Sequence, residues 1–171
     1  MINVETAREI ARNHVQTLGI NLTFFAEPIT SGDYGWVFEY QSSTFIETNN
    51  VLDALAGNAP ILIDSSKGHI FTLGTAHAVE RYVRQYQRFG DPHASPGPTL
   101  KLIGWREGAN KVEATKAIKV HTQLGLKDAK KAIDDCLNER KPIVRCVDPE
   151  MAAALALQLG VIGFEAKQLA L

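Results

Sequence analysis

Apolar residues follow two different periods in the first part of the chain. From Val4 to Leu18 they return every three or four positions, which predicts a helix that Asn3 caps and Gly19 ends. After a turn at SGDYG, large aromatic residues alternate with other side chains up to Gln41, the period of a half-buried strand. These aromatics are predicted to be core residues rather than a ligand site: Trp36, Phe38 and Tyr40.

Three further segments complete this part of the chain. STFIET is predicted as a short strand, and APILIDSSKGHIFTLG as a hairpin that turns at DSSKG. AHAVERYVRQYQRF has a helical period that buries Val79, Tyr82, Val83 and Tyr86. A helix, several antiparallel strands and a closing helix indicate an α+β domain with an antiparallel sheet, assigned to residues 1–89.

The second part of the chain predicts a smaller domain. FGDPHASPGPT holds three prolines and two glycines, so residues 90–98 are predicted as a linker or ordered crossover. LKLIGW, KPIVRCVD and VIGFEAKQL are predicted as strands. Two lysine-rich helices and the helix PEMAAALALQLG, with Asp148 as its cap and Gly160 past its end, separate them. The resulting order over residues 99–171 is β-α-α-β-α-β.

Charge divides the chain in the same place. Residues 1–98 hold six Lys/Arg and ten Asp/Glu, whereas residues 99–171 hold twelve and nine. Neither part is basic enough to predict direct nucleic-acid binding. No apolar run is long enough for a bilayer, and the N-terminus lacks a secretory apolar region. With only two cysteines, the composition favours a cytoplasmic protein in a reducing compartment.

Motifs for catalysis or metal binding are missing from the sequence. The five histidines are scattered, and the metal spacings HxH, HExxH and CxxC do not occur. The sequence also lacks a nucleophile elbow and a phosphate-binding loop. Cys136 lies on the apolar stripe of a predicted helix, as expected of a core thiol. We therefore expect no enzyme activity, catalytic residue, metal or cofactor.

The segment from Gly108 to Asp135 concentrates positive charge, with six lysines and four acids. On the helix that starts at Lys111, three lysines share one side with Val112 and Thr115. In the next helix, Lys130–Asp134 and Lys131–Asp135 are predicted ion pairs. This side is either an ordinary solvated helix surface or a protein-binding face, in which charge steers and apolar contact supplies affinity.

This segment resembles the C-terminal domain of the bacterial ribosomal stalk protein of the large subunit. The similarity rests on Gly108–Val112, Lys116–Lys119 and Leu124–Lys130, read as GANKV, KAIK and LGLKDAK. The resemblance implies the family fold over roughly 99–171 and a lysine-rich face that recruits translational GTPases. By position, it implies these contact residues: Lys111, Val112, Thr115, Lys116, Lys119 and Lys127.

The first domain resembles the immunity protein 35 family of bacterial polymorphic-toxin systems over roughly 1–89. The similarity rests on YGWVF at Tyr34–Phe38, LAGNAPILID at Leu55–Asp64 and GTA at Gly74–Ala76. It implies a small cytoplasmic protein that binds and neutralises a toxin encoded beside it.

If helices cover one side of the first sheet, a partner can cover the other, where Val37, Glu39 and Gln41 are predicted. Glu39 and Gln41 are thus candidate partner-binding residues, and the acidic balance suits a basic partner. The resemblance to the immunity protein 35 family, together with these features, predicts an immunity protein that neutralises its toxin stoichiometrically. A translation-linked adaptor that binds an elongation-type GTPase through the lysine-rich helices is the alternative, followed by a general interaction protein.

Overall fold

The computed structural model describes residues 1–171 and divides into two compact units, residues 1–93 and 94–171. The first unit contains three helices: α1 (Val4–Leu18), α2 (Ser43–Thr48) and α3 (Val79–Phe89). Its strands are β1 (Leu22–Phe24), β2 (Thr30–Gly32), β3 (Gly35–Phe38), β4 (Tyr40–Ser42), β5 (Ile61–Asp64) and β6 (Ile70–Thr72). A 3₁₀ turn spans Val51–Asp53. Helices combined with antiparallel strands confirm the predicted α+β class.

The main sheet of the first unit has four antiparallel strands in the order β2-β3-β5-β6. Helix α1 packs Ala7, Ala11 and Val15 with one group of buried strand residues, which are Phe38, Ile61 and Ile63. Helix α3 contributes the partners on the other side, where Tyr82 and Val83 join Val37, Leu62 and Leu73. Both faces of the sheet are therefore covered, and the prediction of an open face that exposes Val37 is wrong.

Helix α2 replaces the strand predicted for STFIET. The Ser42 hydroxyl accepts a hydrogen bond from the Phe45 amide, which caps the helix start. Asn49 then adopts a left-handed conformation with φ 52°, and its N–H bonds to the Phe45 carbonyl. Thr, Phe and Ile prefer strands, but this preference is small and depends on context, so the caps at both ends decide this short segment.

The second unit has the predicted order β-α-α-β-α-β. Its elements are β7 (Pro96–Trp105), α4 (Lys111–His121), α5 (Leu126–Leu137), β8 (Ile143–Arg145), α6 (Pro149–Ile162) and β9 (Phe164–Ala170). The antiparallel sheet has the order β8-β7-β9, so β7 is central. The three helices enclose one core with this sheet, including Leu102, Ile118, Ile133, Leu155 and Phe164.

Strand β7 begins at Pro96, inside the run that was predicted as a linker. Proline lacks only the N–H donor, and the carbonyl groups here still accept hydrogen bonds. The Pro98 oxygen accepts from the Cys146 amide at 2.8 Å, and the Gly97 oxygen accepts from the Gln168 side chain at 2.7 Å. A register shift between Pro96 and Leu100 accommodates the remaining irregularity. Prolines at the start of a central strand are therefore compatible with this sheet.

Helix α6 is longer than predicted. Its start agrees with the sequence, because the Asp148 carboxylate accepts from the Met151 amide at 2.7 Å. Its end lies at Ile162, so Gly160 is inside the helix and Gly163, with φ 104°, terminates it. None of the six helices is both long and apolar enough to cross a bilayer.

Candidate protein-binding surfaces

The predicted lysine face of α4 forms a shallow groove with the beginning of α5. The groove has a volume of about 240 Å³ and is lined by Lys111, Val112, Thr115, Lys116, Leu126 and Lys130. Asn110 fixes the start of α4, since its Oδ1 accepts from the amides of Val112 and Glu113 at 3.1 Å each. We call this site the lysine groove. Four residues that the sequence predicted as contacts therefore come together around one concave surface.

Thr115 is buried rather than exposed on the contact face. Only 6% of the residue is accessible to solvent, and its hydroxyl donates to the Lys111 carbonyl at 2.8 Å. The expectation that Thr115 lies on the exposed side of α4 is therefore wrong, and its role as a partner contact stays a prediction. Its neighbours Val112 and Leu126 are the exposed apolar residues of the lysine groove.

Leu126 and Lys130 were absent from the sequence prediction of contacts. By spacing alone, Leu126 belongs to the buried stripe of α5, which continues through Ala129 and Ile133. It lies in the first turn of the helix, however, and is exposed beside Lys130, its i+4 neighbour. The position of Leu126 in the first turn of α5 is the sequence signal for its exposure, because the end of a helix can extend past the element it packs against.

Ion pairs hold some of these lysines but leave others unpaired. Lys116 pairs with Glu113 at 2.8 Å, and Lys131 pairs with Asp135 at 2.8 Å as predicted. Asp134 pairs with Lys111 of α4, so the predicted pair with Lys130 does not form. Three exposed lysines have no carboxylate partner: Lys119, Lys127 and Lys130. Lys119 and Lys127 are also outside the lining of the lysine groove.

The two candidate partner-binding residues of the first unit, Glu39 and Gln41, differ in whether their side chains are free to contact a partner. Glu39 is exposed between β3 and β4, and its backbone carbonyl accepts from the Phe25 amide. Gln41 lies in β4, where its Oε1 accepts from the amides of Ser42 at 2.7 Å and Leu55 at 2.6 Å. Neither lies in the four-stranded sheet, so their predicted position on its open face is wrong. Glu39 is free to contact a partner, whereas the Gln41 oxygen is engaged within the fold.

Asp64 is the most constrained ionisable group in the first unit. Its side chain is 1% exposed and accepts from the amides of Ser66, Lys67 and His69 at 2.7–2.8 Å, as well as from the Ser66 hydroxyl. Burial raises the pKa of this carboxyl group, but the hydrogen bonds outweigh burial and hold the pKa below its ordinary value. These hydrogen bonds fix the β5–β6 turn, so the charged carboxylate of Asp64 stabilises the fold.

Potential catalytic groups are dispersed or buried. No group of three or more His, Cys, Asp or Glu side chains is arranged to hold a metal ion. The thiols of Cys136 and Cys146 are both buried and free. Burial raises the pKa of each thiol, with a further contribution at Cys146 from the Asp148 carboxylate. Both cysteines are therefore held as neutral core residues.

Comparison with known proteins gives a family match for the first unit. Residues 5–86 match the family model described as Immunity protein 35. The predicted resemblance of this unit to that family is thus confirmed. The match begins in α1 and ends in α3, so it lies entirely within residues 1–93.

One curated relative is the uncharacterized protein YrhB of Escherichia coli (strain K12). The two chains are 43% identical over 53 residues, which is 31% of this chain and 56% of the relative. The chain therefore spans about half the length of the curated relative it matches. No solved structure matches. The similarity of the second unit to the ribosomal stalk domain receives no support from these comparisons and stays a prediction.

Proposed function

We propose that this protein is an immunity protein that binds a cognate toxin stoichiometrically in the cytoplasm and neutralises it. The proposal rests on the match of residues 5–86 to the immunity protein 35 family, because that match covers α1, the four-stranded sheet and most of α3. Neutralisation requires only that the bound protein cover the active site or the substrate path of the toxin. Complexes of this kind bury about 1,200–2,000 Å².

The second unit supplies an additional surface for the same partner. The lysine groove combines exposed apolar side chains, Val112 and Leu126, with a rim of ammonium groups. Apolar contact gives affinity, and surrounding charge steers association towards an acidic surface. We propose that an acidic region of the toxin binds here. The adaptor hypothesis uses the same groove for a GTPase, and no observation favours it over toxin binding.

The direct test is neutralisation. The product of the neighbouring gene is expressed in a sensitive host, with and without this protein, and survival is measured. The expected result is toxicity alone, rescue by coexpression and a purified complex of equimolar composition by light scattering. A toxin of unrelated sequence provides the specificity control, because general protection would not discriminate between the two toxins.

Two outcomes contradict the proposal. A neighbouring product that is harmless, or that remains toxic although both proteins are produced, argues against immunity. Capture of an elongation-type GTPase by the purified full chain, lost on charge reversal in the lysine groove, would instead support the adaptor hypothesis. The two functions thus predict different partners for one surface.

A further inference from the structure

An exposed apolar segment connects β4 and β5 in the first unit. Leu52 is 90% exposed and Val51 is 79% exposed, while Ile46 on α2 exposes 46% of its surface. We call residues 46–53 the aliphatic tip. Soluble proteins do expose single aliphatic residues, but three within eight positions form a patch that water solvates poorly. Such a patch favours contact with another molecule.

Hydrogen bonds hold the aliphatic tip in one conformation. The Thr48 hydroxyl donates to the Asp53 carboxylate at 2.9 Å, and the Asn50 side chain accepts from the Leu52 amide at 3.2 Å. Two residues beyond the tip, the Leu55 amide donates to the Gln41 side chain at 2.6 Å. Because these bonds order the backbone before a partner arrives, binding loses little conformational entropy. Apolar side chains on such a support have the properties of interface anchors.

Charge around the aliphatic tip identifies the kind of partner. Between Arg12 and Lys67 the chain contains no lysine or arginine and six acidic residues, of which Asp64 is buried and Glu27 pairs with Arg8. Glu47 lies within the tip, and Glu39 precedes β4; both are exposed and lack a cationic partner. This surface is complementary to a basic protein surface. An anionic membrane would repel it, and a second copy would place acid against acid.

We propose that the aliphatic tip is the surface of the first unit that binds the toxin, with Val51 and Leu52 entering an apolar cleft bordered by basic residues. The inference rests on the proposed immunity function and assigns it a surface and a partner chemistry. The Gln41 oxygen accepts from the amide of Leu55, two residues beyond the tip, so this side chain supports the base of the tip.

The test uses the full chain and the neighbouring gene product as the probe. In Val51→Ala with Leu52→Ala, the dissociation constant is expected to rise at least about tenfold, mainly through faster dissociation. The matched control is Leu157→Ala with Val161→Ala, which removes exposed aliphatic groups from α6 and is expected to bind as the wild type does. Circular dichroism checks that both variants are folded.

A second variant tests the charge of the partner. Glu39→Lys with Glu47→Lys is expected to slow association about tenfold at low salt, with a smaller loss at high salt. Faster association would overturn the basic-partner assignment. If the wild type binds and the Val51→Ala, Leu52→Ala variant has the same dissociation constant, this inference is wrong and the proposed function still stands. If the wild type does not bind the neighbouring gene product, both the proposed function and this inference are wrong.

Discussion

The carboxylate of Asp134 on α5 forms an ion pair with the ammonium group of Lys111 on α4. The pair connects the two helices that line the lysine groove and replaces the i,i+4 pair with Lys130 that the sequence predicts. Both partners are partly exposed, so the pair contributes little to stability. Its consequence is electrostatic, because Lys130 keeps an unpaired charge at the edge of the groove.

Charge reversal beside the lysine groove is expected to weaken the toxin complex. Lys116→Glu with Lys119→Glu replaces two exposed cations with anions, so an acidic partner surface would be repelled. We expect the dissociation constant to rise about tenfold or more, measured by titration calorimetry.

Lys141→Glu with Lys167→Glu is the matched control, because it makes the same change in net charge at two other exposed lysines. Binding should be nearly unchanged in this control. Equal losses in both double variants would show that total charge, rather than the lysine groove, controls association.

The Asp64 carboxylate is expected to make folding stability depend on pH. Since its folded pKa is lowered, it stabilises the native state above the unfolded pKa, which is about 3.9 for Asp. This contribution is lost as the pH falls through the folded pKa. We expect Asp64→Asn to lower the free energy of unfolding by about 1–3 kcal/mol at neutral pH, because buried hydrogen bonds are lost.

Urea unfolding of wild type and variant at pH 7 and pH 3 measures this effect. The difference between the two proteins should be smaller at pH 3, because pH 3 lies below the pKa of an unfolded Asp, so that unfolded Asp64 is largely protonated and part of the stabilising contribution is lost. Asp33→Asn is the control, since Asp33 is exposed in the neighbouring turn. A difference of the same size at both pH values would show that the Asp64 charge is unimportant.

The two cysteine thiols are expected to resist modification in the native protein. Burial raises the pKa of both, so little thiolate forms at pH 8, and solvent access is minimal. Ellman's reagent should react slowly with the native chain and rapidly with both thiols in guanidinium chloride. A Lys119→Cys variant supplies an exposed thiol as the positive control. Rapid reaction of the native wild type would contradict the assignment of both cysteines to the core.

Much of the fold could be predicted because local signals agree with tertiary packing. Helix α1 begins at Asn3, whose side chain accepts from the Thr6 amide, and its apolar stripe faces the sheet. The second unit likewise follows its hydrophobic periods. The α2 segment could not be predicted in this way, because its caps override the strand preference of its residues.

The candidate surfaces were harder to predict because exposure depends on packing between distant elements. Val37 alternates with aromatic residues as an outward-facing residue would, yet α3 covers it. Thr115 shares an arc with lysines but lies close enough to the core to be buried. Val51 and Leu52 are apolar by sequence, yet both are exposed in the 3₁₀ turn. The hydrophobic period of a segment shows which side of a helix or strand each residue faces. It does not show which other element packs against that side.

Gly35 is expected to be the glycine most sensitive to substitution. It pairs with Asp64 across β3 and β5 and has φ 131°, and a Cβ atom there would overlap the Ile63 carbonyl oxygen. Gly57 also has a positive φ, of 78°, but a Cβ atom there would have no neighbour within 4 Å. Gly57→Ala therefore isolates the backbone term, which costs about 1–2 kcal/mol. Gly35→Ala should cost more, because φ 131° lies further outside the left-handed region and the sheet must also shift, which adds a steric term of about 1–3 kcal/mol.

Thermal unfolding of the two alanine variants distinguishes these contributions. Gly35→Ala should have the lower melting temperature, with the difference arising from separation of β3 and β5. Hydrogen exchange at Ile63 and Asp64 should also increase in Gly35→Ala and remain near the wild-type value in Gly57→Ala. Equal melting temperatures would show that β3 and β5 can move apart at little cost. The buried Asp64 turn, which depends on their register, would then be less rigid than its hydrogen bonds indicate.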